Sequence, residues 1–217
     1  MTDAGEPFFA PLAEAPDDPP GRRYVAPPWM RIPTEFVPTL LPLVRLVGIT
    51  DDGLAVVLSE VEVYPTGLRF TLRVVPRPGD DIAAAAVTGP DFYAETAGYG
   101  APRLARRLRV GACWDDGRTA TNLFLHGPEF DDEAPATVLR VDGGSGGGGF
   151  VEANFWLWPL PAAGDLTLVV AWHHRGLEEQ GIVLNGDELR AAAHQSTVAE
   201  IWPGARHAAP TLPSELF

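Results

Sequence analysis

The residues of this chain that could bind a metal or transfer a proton are scattered rather than grouped. His173 and His174 form the closest pair, but neighbours on a strand point to opposite faces of a sheet, so one metal cannot easily take both. The other histidines occur singly, at His126, His194 and His207. Because a zinc site needs three or four converging ligands, we expect no bound metal and no cofactor.

The candidates for covalent or acid–base catalysis are equally isolated. Cys113 is the only cysteine, and its strand-like surroundings predict a buried, unreactive thiol. A catalytic thiol would need an activating histidine beside it in space. The acidic runs at 131–133 and 178–179 are typical of solvated loops, and no two carboxylates can be assigned to one sugar. Gly144–Gly146 lacks the spacing and the following helix of a nucleophile elbow.

A run of glycines at 143–149, interrupted only by Ser145, directly precedes the densest aromatic segment of the chain. A phosphate-binding loop would need a helix after the glycines, with Lys and Ser or Thr in place. A strand-like segment follows instead, and the chain contains no lysine; a Rossmann fingerprint fails for the same reason. The run therefore predicts a flexible hairpin loop, or a loop that a partner orders.

The tryptophans after the glycine run are the best candidates for contact with a ligand. In a strand, Trp156 and Trp158 share one face, and Phe155 and Leu157 share the other. If the tryptophan face meets solvent, it forms a stacking platform for a sugar or a peptide. If both faces are covered, the tryptophans belong to the core, which their size favours. The candidate binding surface consists of Gly146, Gly147, Gly148, Gly149, Trp156 and Trp158.

Composition and charge limit the partners. The formal net charge of −13 repels phosphate backbones, so we expect no nucleic acid partner and no anionic membrane surface. The start of the chain lacks the basic and apolar regions of a signal peptide, and no apolar run approaches membrane-spanning length. These features predict a cytoplasmic protein. All 16 basic residues are arginine, which is typical of a high-GC genome.

Periodicity predicts three hairpins. In the first, residues 54–64 pair with residues 68–74 across the turn Pro65–Gly67, because polar and apolar side chains alternate on both sides of it. Its inward residues should be Val57, Val61, Val63, Phe70 and Leu72. The second pairs 107–114 with 118–123, and the third pairs 137–141 with 150–158 across the glycine run.

The rest of the chain contributes one strand, one helix and irregular ends. The apolar segment 166–172 predicts a strand covered on both faces. A helix is expected from Glu188 to about Ile201, with Asn185 or Asp187 as its cap. Residues 76–104 show no dependable period and predict a long loop.

These elements predict a mainly β protein: a single antiparallel β-sandwich or distorted barrel with one C-terminal helix. We expect a proline-rich extended arm at 1–40, the sandwich domain at 41–204 and an irregular tail at 205–217. The arm carries apolar residues that should anchor parts of it to the body, namely Phe8, Phe9, Trp29 and Met30.

The chain contains four distinctive features: Tyr-Pro-Thr-Gly at 64–67, Asp-Gly-Arg at 116–118, the glycine run, and Trp-Leu-Trp-Pro-Leu-Pro at 156–161. In these features the chain resembles a group of actinobacterial proteins of unknown function. The resemblance implies a high-GC bacterial origin and a cytosolic setting, and it implies no activity.

The function that these observations favour is a non-catalytic binding or protein-interaction module, whose partner is a protein or a small ligand. The alternative is a hydrolase acting on a carbohydrate or small ester, with its site near the Gly143–Gly149 loop. Carboxylates converging beside that loop, or a histidine beside Cys113, would favour the enzyme. A smooth apolar or aromatic face would favour binding. The oligomeric state stays open.

Overall fold

The computed structural model describes residues 27–79, 106–123, 135–147 and 150–198. Within these ranges the chain forms short strands, one α-helix and two 3-10 turns, at Pro28–Met30 and His173–Arg175. In chain order the elements are β1 (Phe36–Val37), β2 (Thr39–Leu41), β3 (Arg45–Ile49), β4 (Leu54–Val63), β5 (Leu68–Pro76), β6 (Arg109–Trp114), β7 (Thr119–Thr121), β8 (Val138–Gly147), β9 (Phe150–Trp158), β10 (Leu166–Trp172), β11 (Leu177–Leu184), α1 (Gly186–Gln195) and β12 (Thr197–Val198).

The strands form two main antiparallel sheets and one small one. The larger sheet has six strands in the order β2-β4-β5-β9-β8, and β3 pairs with β4 on the same side as β2. The smaller sheet has the order β11-β10-β6-β7, and β1 pairs with β12 in a separate ribbon. The predicted mainly β, antiparallel, sandwich-like fold with one C-terminal helix is therefore confirmed.

One apolar core joins the two main sheets. Alternate side chains of β5 and β9 point into it, and the rings of Phe70 and Phe155 stack at 5.1 Å between centroids. From the smaller sheet, Trp114 and Trp172 enter the same core. We call the side of the six-stranded sheet that faces this core the inner face, and the opposite side the outer face.

The first predicted hairpin is present, but at one end of β4 the side chains that face the core differ from the prediction. Val61, Val63, Phe70 and Leu72 are buried as expected. Val57 is only half-buried, because a bulge after Leu58 shifts the alternation by one residue. Leu54, Val56 and Leu58 therefore face the core, and Val57 lies on the outer face opposite Arg73.

The remaining predicted strands and the helix are present, but the boundaries of β8 and of the helix differ from the prediction. The second and third hairpins are β6–β7 and β8–β9, and β10 is the central strand between β6 and β11. Asn185 caps α1 by accepting a hydrogen bond from the Glu188 N–H at 3.0 Å. The predicted helix end near Ile201 is wrong, because α1 ends at Gln195 and Thr197–Val198 pairs with β1.

The domain boundaries stay a prediction. Residues 1–26 of the arm, the tail 205–217 and most of the predicted loop 76–104 lie outside the described residues. Among the residues that are described, no helix is long and apolar enough to cross a membrane.

Candidate functional site

Most of the glycine run lies in a strand, so the prediction of a loop across 143–147 is wrong. Gly143–Gly147 belongs to β8, and residues 144–147 pair one by one with residues 153–150 of β9. A bulge between Val141 and Gly144 contains Gly143, whose φ of +118° is one that side-chain-bearing residues rarely adopt. Two of the candidate binding residues, Gly148 and Gly149, lie outside the described residues.

Trp156 is completely buried, at 0% exposure, but it does not point into the core between the sheets. It pairs in register with Arg69 on β5 and Arg140 on β8, on the outer face, whereas its neighbours Phe155 and Leu157 point inward. The predicted division of the four aromatic and aliphatic side chains between two strand faces is therefore correct. Trp158 follows on the outer side and is half-buried.

Three neighbours surround the Trp156 ring. Its Nε1–H donates to the backbone carbonyl of Trp29 at 2.9 Å, so the arm lies against the sheet here, as the prediction of an anchored arm requires. The ring of Tyr64 meets it edge to face, with centroids 5.8 Å apart. A Cβ on Gly67 would lie only 2.7 Å from the Cη2 and Cζ2 atoms of Trp156, so the indole needs a glycine beneath it.

Paired charges cover much of the rest of the outer face. Arg69 bonds Glu62 at 3.0 Å, and its Nε lies 3.8 Å from an oxygen of Asp142. Arg140 bonds the other Asp142 oxygen at 3.0 Å. In the centre of the face, the Thr71 hydroxyl donates to Asn154 Oδ1 at 2.8 Å.

A second charge pair lies farther along the same face. Arg73 bonds Glu152 at 2.9 Å, and its guanidinium lies 4.9 Å from the centre of the Phe150 ring. The Ser145 hydroxyl also donates to Glu152, at 3.0 Å. These pairs neutralise one another, whereas Glu60, in register with Thr71, is exposed on the same face.

The environment of Trp156 shifts two neighbouring pKa values. Burial, reinforced by the negative charge of Glu62, raises the pKa of Tyr64 to about 12. Burial would lower the pKa of Arg69, but its hydrogen bond to Glu62 and the charges of Glu62 and Asp142 outweigh that effect and raise it. Tyr64 is therefore a neutral hydroxyl, and Arg69 a fixed cation, across the physiological range.

Three N–H groups near Trp156 are buried without an acceptor in the part of the chain that the structure describes. They belong to Trp29 Nε1, Arg69 Nε and Arg140 Nε. A buried donor that has lost its hydrogen bond to water costs free energy. The packing of the arm segment onto Trp156 is therefore polar and incompletely satisfied, unlike the inner face of the sheet.

Large apolar side chains stand exposed along one edge of the outer face. Leu40 on β2 pairs with Glu62, Leu46 on β3 pairs with Val57, and Ile49 pairs with Ala55. Leu40 is 64% exposed, and Leu46 and Ile49 are each 58% exposed. We call these three residues the apolar edge. The half-buried Ala55 and Val57 continue it towards the centre of the face.

The other residues considered for chemistry lie elsewhere. Cys113 is exposed, which corrects the prediction of a buried thiol: it faces away from the core on β6, between Ala112 and Trp114, which point inward. His173 and His174 lie in a 3-10 turn rather than a strand, and His173 Nε2 is 3.6 Å from Glu178. Among the described residues, no three His, Cys, Asp or Glu side chains are grouped to hold a metal ion.

Sequence reasoning found Trp156 but missed the charge pairs and the apolar edge. The signal for the pairs was present, because strict alternation in β5 places Arg69 and Arg73 on the tryptophan face once β5 and β9 are paired. No family model, no curated protein and no solved structure matches this chain.

Proposed function

We propose that this protein is a cytoplasmic, non-catalytic protein-interaction module that binds its partner with the outer face of the six-stranded sheet. The observation that supports this proposal is the apolar edge. Leu40, Leu46 and Ile49 expose more than half of their surface on the same side of adjoining edge strands. Exposed apolar side chains scattered singly need no explanation. Leu46 and Ile49, however, lie in adjacent rows of the outer face with Val57 and Ala55 beside them, and such a set is typical of a surface that a partner covers; Leu40, in register with Glu62, lies farther along the same edge.

The chemistry beside the apolar edge also suits a protein partner. Protein interfaces combine an apolar centre with a polar rim, and arginine and aromatic residues are enriched in them. Here Arg73 and Phe150 lie two and three strands away from Leu46 on the same face, and Arg73 is already neutralised by Glu152. In the row that contains Leu46, Val57 and Arg73, the carboxylate of Glu152 is paired with Arg73, which favours contact there despite the acidic chain, whereas Glu60 in the adjacent row is exposed.

The test replaces one edge residue and one matched control. Leu46→Glu places a charge on the apolar edge, whereas Val183→Glu places the same charge on β11 of the other sheet, at a residue that is 59% exposed. Both variants should keep the melting temperature of the wild type within about 2 °C, because surface substitutions are usually nearly neutral.

Partners that copurify from extracts of the source cells are then compared by quantitative mass spectrometry. A protein recovered with wild type and with Val183→Glu, but reduced about tenfold or more with Leu46→Glu, supports the proposal. If every specific partner is retained equally by both variants, the apolar edge is not part of the binding surface and the proposal fails.

A further inference from the structure

Arginines are concentrated at the start of β6, in the four-stranded sheet. Four of the 16 arginines of the chain fall within residues 103–109, and three of them, Arg106, Arg107 and Arg109, lie in the described structure. Arg106 is exposed and Arg109 is half-buried, whereas Arg107 is almost completely buried, at 4% exposure. A chain of net charge −13 therefore carries a local group of cations at this point.

Arg107 is a buried cation without a partner among the described residues. Its Nε and Nη1 atoms are shielded from solvent and have no acceptor there. A guanidinium stays protonated at physiological pH, so burial cannot neutralise it as it can a lysine or a histidine. A buried charge ordinarily needs an opposite charge and hydrogen bonds to offset its lost hydration. The position of Arg107 therefore calls for an anion.

Other arginines of the described structure show what is missing. Of those that are buried or half-buried, Arg107 and Arg109 form no ion pair with a described residue. The others each bind a carboxylate, namely Arg69, Arg73, Arg118, Arg140, Arg175 and Arg190. A chain with 29 acidic residues thus pairs its other shielded arginines and leaves these two without a carboxylate.

The backbone on both sides of Arg107 is fixed by buried side chains. The Trp172 indole donates to the Arg106 carbonyl at 2.8 Å, and Asn122 Nδ2 donates to the Leu108 carbonyl at 3.1 Å. Trp172 and Leu108 are completely buried, and Asn122 is nearly so. Because the core already holds this segment in place, a ligand would pay little entropy to order it on binding.

The turn beside this segment adds basic groups rather than carboxylates. Since β10 runs antiparallel to β6, the 3-10 turn His173–Arg175 that follows β10 lies beside residues 106–108. Of the acidic residues next to that turn, Asp52 bonds its arginine, and Glu178 lies 3.6 Å from its first histidine. An anion brought by a ligand would supply the charge that the described residues do not.

We propose that Arg107, with Arg106 and Arg109 beside it, binds a small molecule that carries a phosphate group. The planar guanidinium fork matches the oxygens of a phosphate or a carboxylate. Phosphate suits this segment better, because its higher charge and additional oxygens can serve several guanidinium groups at once. The acidic chain as a whole repels long phosphate polymers, so the ligand is small. This site belongs to the four-stranded sheet and does not depend on the proposed function.

The test measures phosphate binding to the full chain by isothermal titration calorimetry. Arg107→Met is compared with Arg45→Met, which removes the same charge from an exposed position on β3. The wild type and Arg45→Met should bind inorganic phosphate with a Kd of about 1 mM or below, and Arg107→Met should bind it at least about tenfold more weakly. Acetate at the same ionic strength should bind far more weakly than phosphate to the wild type.

The melting temperature separates a binding role from a structural one. Without phosphate, Arg107→Met should melt at the same temperature as the wild type or higher, because it replaces an unpaired buried charge by an apolar side chain. Phosphate at about 100 times its Kd should raise the melting temperature of the wild type by about 5–10 °C more than that of Arg107→Met. A general effect of the salt appears equally in both proteins and cancels in this difference.

Equal phosphate affinity in the wild type and Arg107→Met overturns the inference, as does the absence of binding to the wild type up to about 10 mM phosphate. Acetate that binds as tightly as phosphate overturns the assignment to phosphate. If Arg107→Met fails to fold, Arg107→Lys replaces it, since lysine keeps the charge but loses the planar fork and should also lower the affinity. Phenyl phosphate distinguishes the two sources of the group: its binding supports a phosphate monoester as the ligand, and binding of inorganic phosphate alone supports the free ion.

Discussion

The two faces of the six-stranded sheet are built from the same strands but are closed in different ways. On β5, Phe70 and Leu72 point inward, and both are almost completely buried among apolar neighbours. One residue before each of them, Arg69 and Thr71 point outward and are bonded to Glu62 and Asn154. The inner face is covered by a second sheet, whereas the outer face is covered by paired charges and, at Trp156, by the arm.

The difference separates the surface that stabilises the fold from the surface that we propose for binding. The burial of apolar side chains is the main stabilising contribution to a fold, and the side chains packed on the inner face are apolar. Charge pairs that remain partly exposed contribute little, and unpaired buried donors oppose folding. The charge pairs of the outer face therefore contribute less to stability than the inner face does, which fits the surface that we propose for recognition.

The largest expected effect comes from neighbouring residues on opposite faces of β9. Phe155→Ala removes a fully buried ring that stacks on Phe70, and it should lower the free energy of unfolding by about 3–5 kcal/mol. Asn154→Ala leaves the hydroxyl of the buried Thr71 without its acceptor on the outer face and should cost only about 1–3 kcal/mol. Urea denaturation of both variants measures the difference. Equal losses would show that the two faces contribute alike.

The fold was largely predictable because alternation and turn residues act locally. The segment 54–58 is apolar at every position, so alternation read back from Glu60 and Glu62 assigned Val57 to the core. The bulge after Leu58 reversed that assignment, and nothing in the local sequence signals the extra residue. The end of α1 did carry a signal, since the β-branched Thr197 and Val198 follow Ser196 and favour a strand.

The candidate site was predictable only in part because its contacts are distant in sequence. Trp156 and Trp29 are separated by 127 residues, so the strand periodicity gave the direction of Trp156 but could not show what covers it. The prediction of a loop at the glycine run was wrong for another reason. Glycine has a low intrinsic preference for strands, and pairing with Phe150–Ala153 overrides that preference in β8.

A smaller effect is expected from Tyr64 at alkaline pH. The pKa of Tyr64 is raised to about 12 in the folded protein, above the ordinary value of 10.0, so folding favours the protonated phenol. Its contribution is fully present below pH 10 and is lost as the pH rises from 10 to 12, by about 2–3 kcal/mol in total.

The measurement compares urea unfolding of the wild type and Tyr64→Phe at pH 8, 10 and 11.5. The wild type should lose stability relative to the variant as the pH rises, because phenylalanine has no proton to release. Absorbance at 295 nm reports the ionisation itself. Parallel stability curves for the two proteins would mean that Tyr64 titrates normally and that the contact with Trp156 does not shield it.

The smallest expected effect is that of the Arg73–Glu152 pair, which tests how little the outer face contributes to stability. A double-mutant cycle with Arg73→Gln and Glu152→Gln should give a coupling energy of about 0.2–1 kcal/mol, since both side chains are partly exposed. Raising the salt concentration from 0.05 to 1 M should reduce that coupling, because added ions screen exposed charges. A coupling well above 1 kcal/mol that persists in salt would place this pair among the stabilising contacts of the fold. The surface that we propose for recognition would then be limited to the surroundings of Trp156 and the apolar edge.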